Sequence, residues 1–584
     1  MIIPVGDNII SSLGFSSEEN YIAVKNGVSG LRQYNSIGKT EPFVASCIDK
    51  NILDEKFAVL EHYAENYTYL EKAAILSAFS AAWCSENNTG LDLSSPEVKF
   101  FISTTKGNVH LLEEGKLCDD LYLWHTAKKI VGFFENKNCP MIISNACISG
   151  ANAQITASRE LETGACRYAV VIGIDMISKF IVSGFQSFKA LAPEPCRPFD
   201  VNRCGLNLGE AAATIIYRKA MPTDTSAGLV CGSVRNDANH ISGPSRTGEG
   251  CYLAIKDALQ DVSPNDIAFI NAHGTATPYN DTMEAVAINR AGLQDVPVYS
   301  LKGYFGHTLG AAGVLESIIS IYALNDNIIP ASCGFSSIAP DCQVNVNDRI
   351  AISTKPYYLK LLSGFGGCNA ALLFKKGFEN EISTAQTNLS VKKYAYIDNS
   401  VVDANGKEMH NKDGLNGLYR SLGIDYPKFF KMDKLSKLGF LASEFVFGNS
   451  ERPENIPVIC FNSSSSLDTD CHYQTTIEED NYFPSPSVFV YTLPNIIAGE
   501  IAIRNKFTCE TSFYISENID SEMIERTIKN SNVDSALVLW VDYLNDKYEA
   551  FALWVEKHKD TKTLSFGKEL ARLAKKTQVA NLCQ

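Results

Sequence analysis

No stretch of this chain stays apolar for the roughly 18 residues that a membrane-crossing helix needs, so no span is expected. The N-terminus, MIIPVGDNIISSLG, lacks a basic stretch followed by an apolar core. No secretory leader is expected there, and the cytoplasm is the expected location. Basic residues are too few for a polyanion-binding face: the formal net charge is -14, which argues against nucleic acid. Cysteine is plentiful at 17, but the spacing of a metal or redox site is missing. There is no CxxC and no Cys/His zinc pattern, and Cys84, Cys460 and Cys509 sit inside apolar runs. Reduced thiols, mostly small core residues, are therefore expected, with neither a metal nor a disulfide framework. What remains is globular composition, 45% hydrophobic and 20% charged, spread over 584 residues, too many for one core.

The chain repeats itself. Gly209–Lys219 (GEAAATIIYRK), Gly366–Lys376 (GGCNAALLFKK) and Glu549–Lys557 (EAFALWVEK) are small or apolar runs ending in charge, as a buried strand leaving a sheet would be. Upstream, Tyr168–Asp175 (YAVVIGID) matches Ser535–Asp542 (SALVLWVD), and Val98–Lys106 (VKFFISTTK) matches Pro457–Ser465 (PVICFNSSS). Helical patterns precede the last two, at Tyr69–Cys84 and Lys434–Phe447. That order predicts α/β layers with largely parallel strands. It divides the chain into a complete two-half unit, 1–376 (halves about 1–220 and 221–376), a polar linker at 377–391, and a lone first half at 392–584.

Four motifs carry chemistry. In Ser144–Gly150 (SNACISG) a strand runs into a small-residue turn and a helix begins near Cys147, placing the thiol at a positive dipole end that favours thiolate. Such positions lower the ordinary thiol pKa of about 8.5. A small buried residue in a crowded turn is the plainer alternative. In Asn271–Asp281 (NAHGTATPYND), His273 follows an apolar strand at the end where ligands approach α/β sheets, with Thr275 and Thr277 beside it. In Ser300–Glu316 (SLKGYFGHTLGAAGVLE), Lys302 and His307 flank glycines that open a helix, and Glu316 is expected as a buried partner of Lys302 or of backbone groups. In Ser363–Ala370 (SGFGGCNA), the glycines leave Phe365 projecting, and an amide of that loop paired with the amide of Cys147 makes an oxyanion hole. A loop histidine, a surface Lys/His pair and a plain glycine bend are the respective alternatives.

In this order across 1–376 the motifs resemble the β-ketoacyl synthases of fatty-acid and polyketide assembly, more narrowly the elongating Cys-His-His type. Arg197–Glu210 (RPFDVNRCGLNLGE) is similar to the same family. The resemblance implies a thiolase-like fold of duplicated α/β layers (αβαβα), extended here by a further half-domain. It implies that Cys147 takes an acyl chain from an acyl carrier protein, and that His273 and His307 assist decarboxylation of a malonyl carrier protein and stabilise its enolate. It further implies that Lys302 and Glu316 organise the site, that Thr275 and Thr277 hold the phosphopantetheine arm, and that Phe365 gates the acyl pocket. No tightly bound cofactor is implied. Two departures, Cys204 and the turn GEAAA, bear on packing near the site more than on chemistry.

The stretch before Cys147 is shorter than is usual in the family, which implies a narrowed or rebuilt dimer interface. Pro484–Glu500 resembles the longer family form of that stretch, with Val488 and Phe489 positioned to reach an acyl pocket. Aligning Ile143-Ser144 on Ile515-Ser516 sets Ile519 opposite Cys147, so residues 392–584 resemble a non-catalytic chain-length factor reduced to its first half. The expected function is decarboxylative condensation in fatty-acid or specialised polyketide or polyene synthesis. The expected assembly is a homodimer, a pseudo-dimer through 392–584 within the chain or across a dimer, or a heteromeric synthase. A non-catalytic scaffold and a thiolase-type acyltransferase are the alternatives.

Overall fold

The computed structural model describes residues 1–60, 66–83, 90–115, 117–379, 388–448, 452–529, 531, 534–558, 566–567 and 569–573. Cys84 and most of the expected linker, 380–387, lie outside these residues.

Three sheets repeat one topology. The first is built from β1 (Ile2–Ile10), β2 (Val98–Ser103), β3 (Met141–Ile143), β4 (Tyr168–Asp175) and β5 (Ala211–Lys219), in the order β3-β2-β4-β5-β1. The first two pairings are parallel and the last two antiparallel. The second sheet uses β6 (Ala227–Asn236), β7 (Ile267–Asn271), β8 (Val298–Tyr299), β9 (Tyr357–Gly364) and β10 (Cys368–Lys376), in the order β8-β7-β9-β10-β6. The third uses β11 (Asn388–Asp398), β12 (Val458–Asn462), β13 (Thr511–Ile515), β14 (Ser535–Leu544) and β15 (Lys547–His558), in the order β13-β12-β14-β15-β11. The parallel strands are short apolar runs buried on both faces, as layers flanked by helices require.

Helix α1 (Tyr69–Trp83) covers the first sheet on its outside. Helices α2 (Ser149–Glu162) and α4 (Ala312–Asn325) lie together between the first and second sheets, and α3 (Glu249–Leu259) covers the second, completing five layers. Small residues set how closely α2 and α4 approach. A Cβ on Gly313 would stand 2.3 Å from the Ala151 nitrogen, so backbone passes against backbone there. Helix α5 (Lys434–Phe447) covers the third sheet and α6 (Ile496–Asn505) packs on α5. Phe566, Leu570 and Leu573, at helical spacing, join the apolar cluster of Met523, Ile524 and Ile528 in the third unit.

The duplicated layers and the additional half-domain are thus as expected. Two details differ. Residues 388–391, assigned to the linker, are the first residues of β11, which pairs antiparallel with β15 as β1 does with β5. The partner contact is made within the chain: β13 pairs antiparallel with β3, Ile515 opposite Ile142 and Tyr514 opposite Ile143. Because Ile143 and Ile515 are equivalent positions, this register has local two-fold symmetry, the same patch meeting itself. Each strand covers the other's open edge.

Candidate active site

Cys147 lies in the single turn Ala146–Ile148 between β3 and α2, which starts at Ser149. Ala146 has φ 50°, a left-handed conformation costly for alanine. Ser149 holds the turn, its hydroxyl accepting from the Asn145 amide at 2.7 Å and donating to the Ala146 carbonyl at 2.6 Å. The third unit braces the same turn. The Ser144 amide donates to Phe513 O at 3.1 Å, and Asn145 Nδ2 donates to Thr511 O at 2.9 Å.

His307 Nε2 stands 3.0 Å from Cys147 Sγ. Its Nδ1 accepts the Leu309 amide at 3.3 Å, which assigns the ring hydrogen to Nε2 and aims it at the sulfur. His273 packs edge-on against His307, ring centroids 5.1 Å apart, and the donor atoms of Cys147, His273 and His307 all lie within 4.8 Å of one another. Among the described residues this is the one group of three or more Cys, His, Asp or Glu side chains with ligand-like spacing. Glu284 fixes the His273 turn, its carboxylate accepting the His273 amide at 2.6 Å and the Gly274 amide at 2.8 Å. The Thr275 and Thr277 hydroxyls are 2.9 Å apart on the same loop, Thr275 buried and Thr277 half-buried.

Lys302 pairs with Glu316 as expected, both fully buried. The structure adds a second cation that the motifs did not include: Lys360 Nζ lies 2.6 Å from the other Glu316 oxygen. The signal was a lone lysine inside the apolar run YYLKLL. Two other groups were also missed. Asp175 takes Thr104 Oγ1 at 2.8 Å, Thr105 Oγ1 at 2.9 Å and the Gly310 amide at 2.7 Å, tying β2 and β4 to the loop after His307. Asn207 accepts the His307 amide on its carbonyl at 2.7 Å. In the third unit Asp542 repeats the Asp175 arrangement with Ser463 and Ser464, but no cysteine turn follows β13.

Burial dominates the electrostatics. It pushes the Cys147 thiol up to about 12, against the pull of Lys302. Burial, with the Asp175 and Glu316 carboxylates adding to it, thus works against the lowering expected of a helix start. Burial, with Lys302 adding to it, holds both imidazoles well below their usual range, so both are neutral. Burial opposes the charge of Glu316, but Lys302 and Lys360 together outweigh it and keep the carboxylate ionised.

Gly364 lies against the Cys147 amide, where an added Cβ would stand 3.2 Å away, so the Gly364-Phe365 backbone borders the nucleophile turn. Asn495 of the third unit donates to Phe365 O at 2.7 Å. From Phe365 an aromatic cluster runs through Phe188 (centroids 5.8 Å) and Phe185 (6.5 Å) to Phe489, which meets Phe185 at 5.6 Å and Tyr473 at 5.2 Å. Phe489 fills the space a side chain at Gly184 would take. Val488 is half-buried in the same cluster, and Cys204 is exposed.

The family signature of the β-ketoacyl synthase N-terminal domain matches residues 125–220, and that of the C-terminal domain matches 227–336. The 3-oxoacyl-[acyl-carrier-protein] synthases 2 of Mycobacterium leprae and Vibrio cholerae are each 33% identical over 250 and 254 residues. Those alignments take in 39% and 40% of this chain and 59% and 61% of the relatives, so the chain matches about three-fifths of their length. Among solved structures, one titled PfaC Keto synthase-Chain length factor superposes with a TM-score of 0.74 at 15% identity, covering 96% of this chain and 79% of its own. A β-ketoacyl synthase from Burkholderia phymatum gives 0.55 at 24% identity, covering 65% of this chain and 99% of its own. At these identities the superpositions establish the thiolase-like fold. The two family domains match in order along residues 125–336, and over that stretch the chain is similar to the β-ketoacyl synthases.

Proposed function

We propose that the chain catalyses decarboxylative condensation, with Cys147 as the nucleophile and His273, His307 and Lys302 as the other catalytic groups. The carrying observation is the pair of neutral imidazoles around one thiol, the Nε2 hydrogen of His307 aimed at Cys147 Sγ from 3.0 Å. An acyl thioester exchanges onto Cys147, and the incoming carrier leaves as a thiol. A malonyl thioester then loses carbon dioxide, and its electron pair becomes an enolate whose oxygen accepts from the imidazole N–H groups. Neutral donors suit this step because they stabilise a transient anion without a permanent counter-charge. The enolate carbon attacks the acyl carbonyl, the new carbon–carbon bond replaces the bond to Cys147, and the sulfur leaves as thiolate, for which a thiol is suited. The amides of Cys147 and of the Phe365 loop hold the carbonyl oxygen.

The substrates are carried by acyl carrier protein, whose phosphopantetheine arm passes the Thr275–Thr277 hydroxyls. Residues 388–573 serve as a built-in, non-catalytic partner. In support, this region braces the nucleophile turn and the Phe365 loop, and it inserts Phe489 into the aromatic cluster. Mixed with acyl- and malonyl-carrier protein, the purified chain is expected to form 3-oxoacyl carrier protein. Failure to form it, with Cys147 shown to be intact, would overturn the reading. Phe489→Leu, which retains an apolar side chain but removes the ring, is expected to shift products toward longer acyl chains. An unchanged length distribution by mass spectrometry would remove Phe489 from that role.

A further inference from the structure

We propose that Lys360 is a positioning residue: it turns the buried Lys302–Glu316 pair into a net-cationic cluster that favours the Cys147 thiolate. This rests on reading Cys147 as the nucleophile. Lys360 sits in the middle of β9, opposite Asn271 on β7, two residues before His273. Its ammonium is fully buried, 2.6 Å from Glu316, and donates to Leu361 O at 2.8 Å and to Asn271 O at 3.4 Å. Nothing in the strand asks for a charge there. Tyr358 and Leu362, two residues away on either side, are buried in the same apolar core, and an apolar residue would complete that face. A second buried ammonium carries a desolvation penalty, so its presence calls for a use.

The use follows from counting charge. Lys302 alone would neutralise Glu316. Lys360 makes two cations to one anion within this triad, and the Glu284 and Asp175 carboxylates outside it offset part of that charge. The groups facing the cluster are Glu316 and Lys302, then His273, His307, the Glu284 carboxylate on the helix Pro278–Arg290, and Asp175 near the thiol. Glu316 and Asp175 both oppose ionisation of Cys147, so a cation set against Glu316 relieves part of that opposition. Burial brings Lys360 down to about 8, so it still carries its proton at neutral pH.

The test is a charge ladder read by the rate and pH profile of Cys147 alkylation with iodoacetamide, located by peptide mapping. Lys360→Met removes the net charge and is expected to slow alkylation at pH 7.5 by about tenfold, the equivalent of one pKa unit. Adding Glu316→Gln to it restores the net charge and is expected to restore the rate. Glu316→Gln alone, with two uncompensated cations, is expected to exceed the wild type. Wild-type alkylation in K360M, or no recovery in the double variant, overturns the proposal. If K360M does not fold, an E316Q rate at or below wild type does so. A stepwise ladder without condensation would retain the proposal and reject the function. Condensation with a flat ladder would do the reverse.

Discussion

Replacing Cys147 with alanine is expected to lower condensation by on the order of ten-thousand-fold or more, while carbon dioxide release from a malonyl thioester persists. The two outcomes separate because the residues divide the work. Condensation needs a sulfur to hold the acyl group and to leave afterwards, and the one thiol beside Cys147 among the described residues, Cys368, is fully buried. Decarboxylation needs only donors for the enolate oxygen, and His273 and His307 remain in place when one sulfur atom is removed. His307→Ala is expected to depress both steps, since in the proposed mechanism the N–H that faces Cys147 also donates to the enolate oxygen. Product formation by mass spectrometry and carbon dioxide release from labelled malonyl carrier protein check the pair. Loss of decarboxylation in C147A with the fold intact would count against this division.

Asp470→Ala is expected to cost about 3–5 kcal/mol of stability, the range for removing one partner of a buried ion pair. Lys106 of the first unit reaches 2.6 Å from Asp470 of the third and also donates to Ser466 Oγ at 3.1 Å and to Thr492 O. Both side chains are buried, and the ammonium lies 5.7 Å from the centre of the Phe180 ring. Without the carboxylate, the buried charge loses its nearest counter-ion and keeps the weaker pull of Asp175. Burial already lowers the affinity of Lys106 for its proton, and the substitution lowers it further. The unfolded chain then binds a proton that the native state gives up, so the deficit is expected to shrink as pH rises. Urea unfolding at several pH values reads both effects. Lys106→Met with Asp470→Leu is expected to recover most of the loss, because the pair is then replaced and not broken.

The repetition was legible because a buried closing strand ending in charge is a pattern dense enough to recognise three times over. β11 escaped it: NLSVKKYAYID carries Lys392 and Lys393 in mid-strand at a bulge, follows a polar stretch and resembles its own surroundings. Cys147, His273, His307 and Lys302 were legible because tight turns need glycine and small residues, which leave a mark in the sequence. The protonation state of the thiol was not legible, since it depends on how many atoms from distant segments exclude water. Lys360 was overlooked for a related reason: no local motif explains a lysine in YYLKLL, and its partner Glu316 comes from another layer. The brace from Thr511 and Phe513 to the nucleophile turn joins residues more than three hundred positions apart, and no spacing rule reaches that far.

The two-fold register between β3 and β13 has a consequence for mass action. Where two separate chains form such a junction, its occupancy falls on dilution and the melting temperature depends on concentration. Here both sides are tethered, so closure is a unimolecular event governed by an effective local concentration. The junction is expected to hold at nanomolar protein, its melting point independent of dilution, and every molecule carries one turn with a cysteine and one copy without it in fixed ratio.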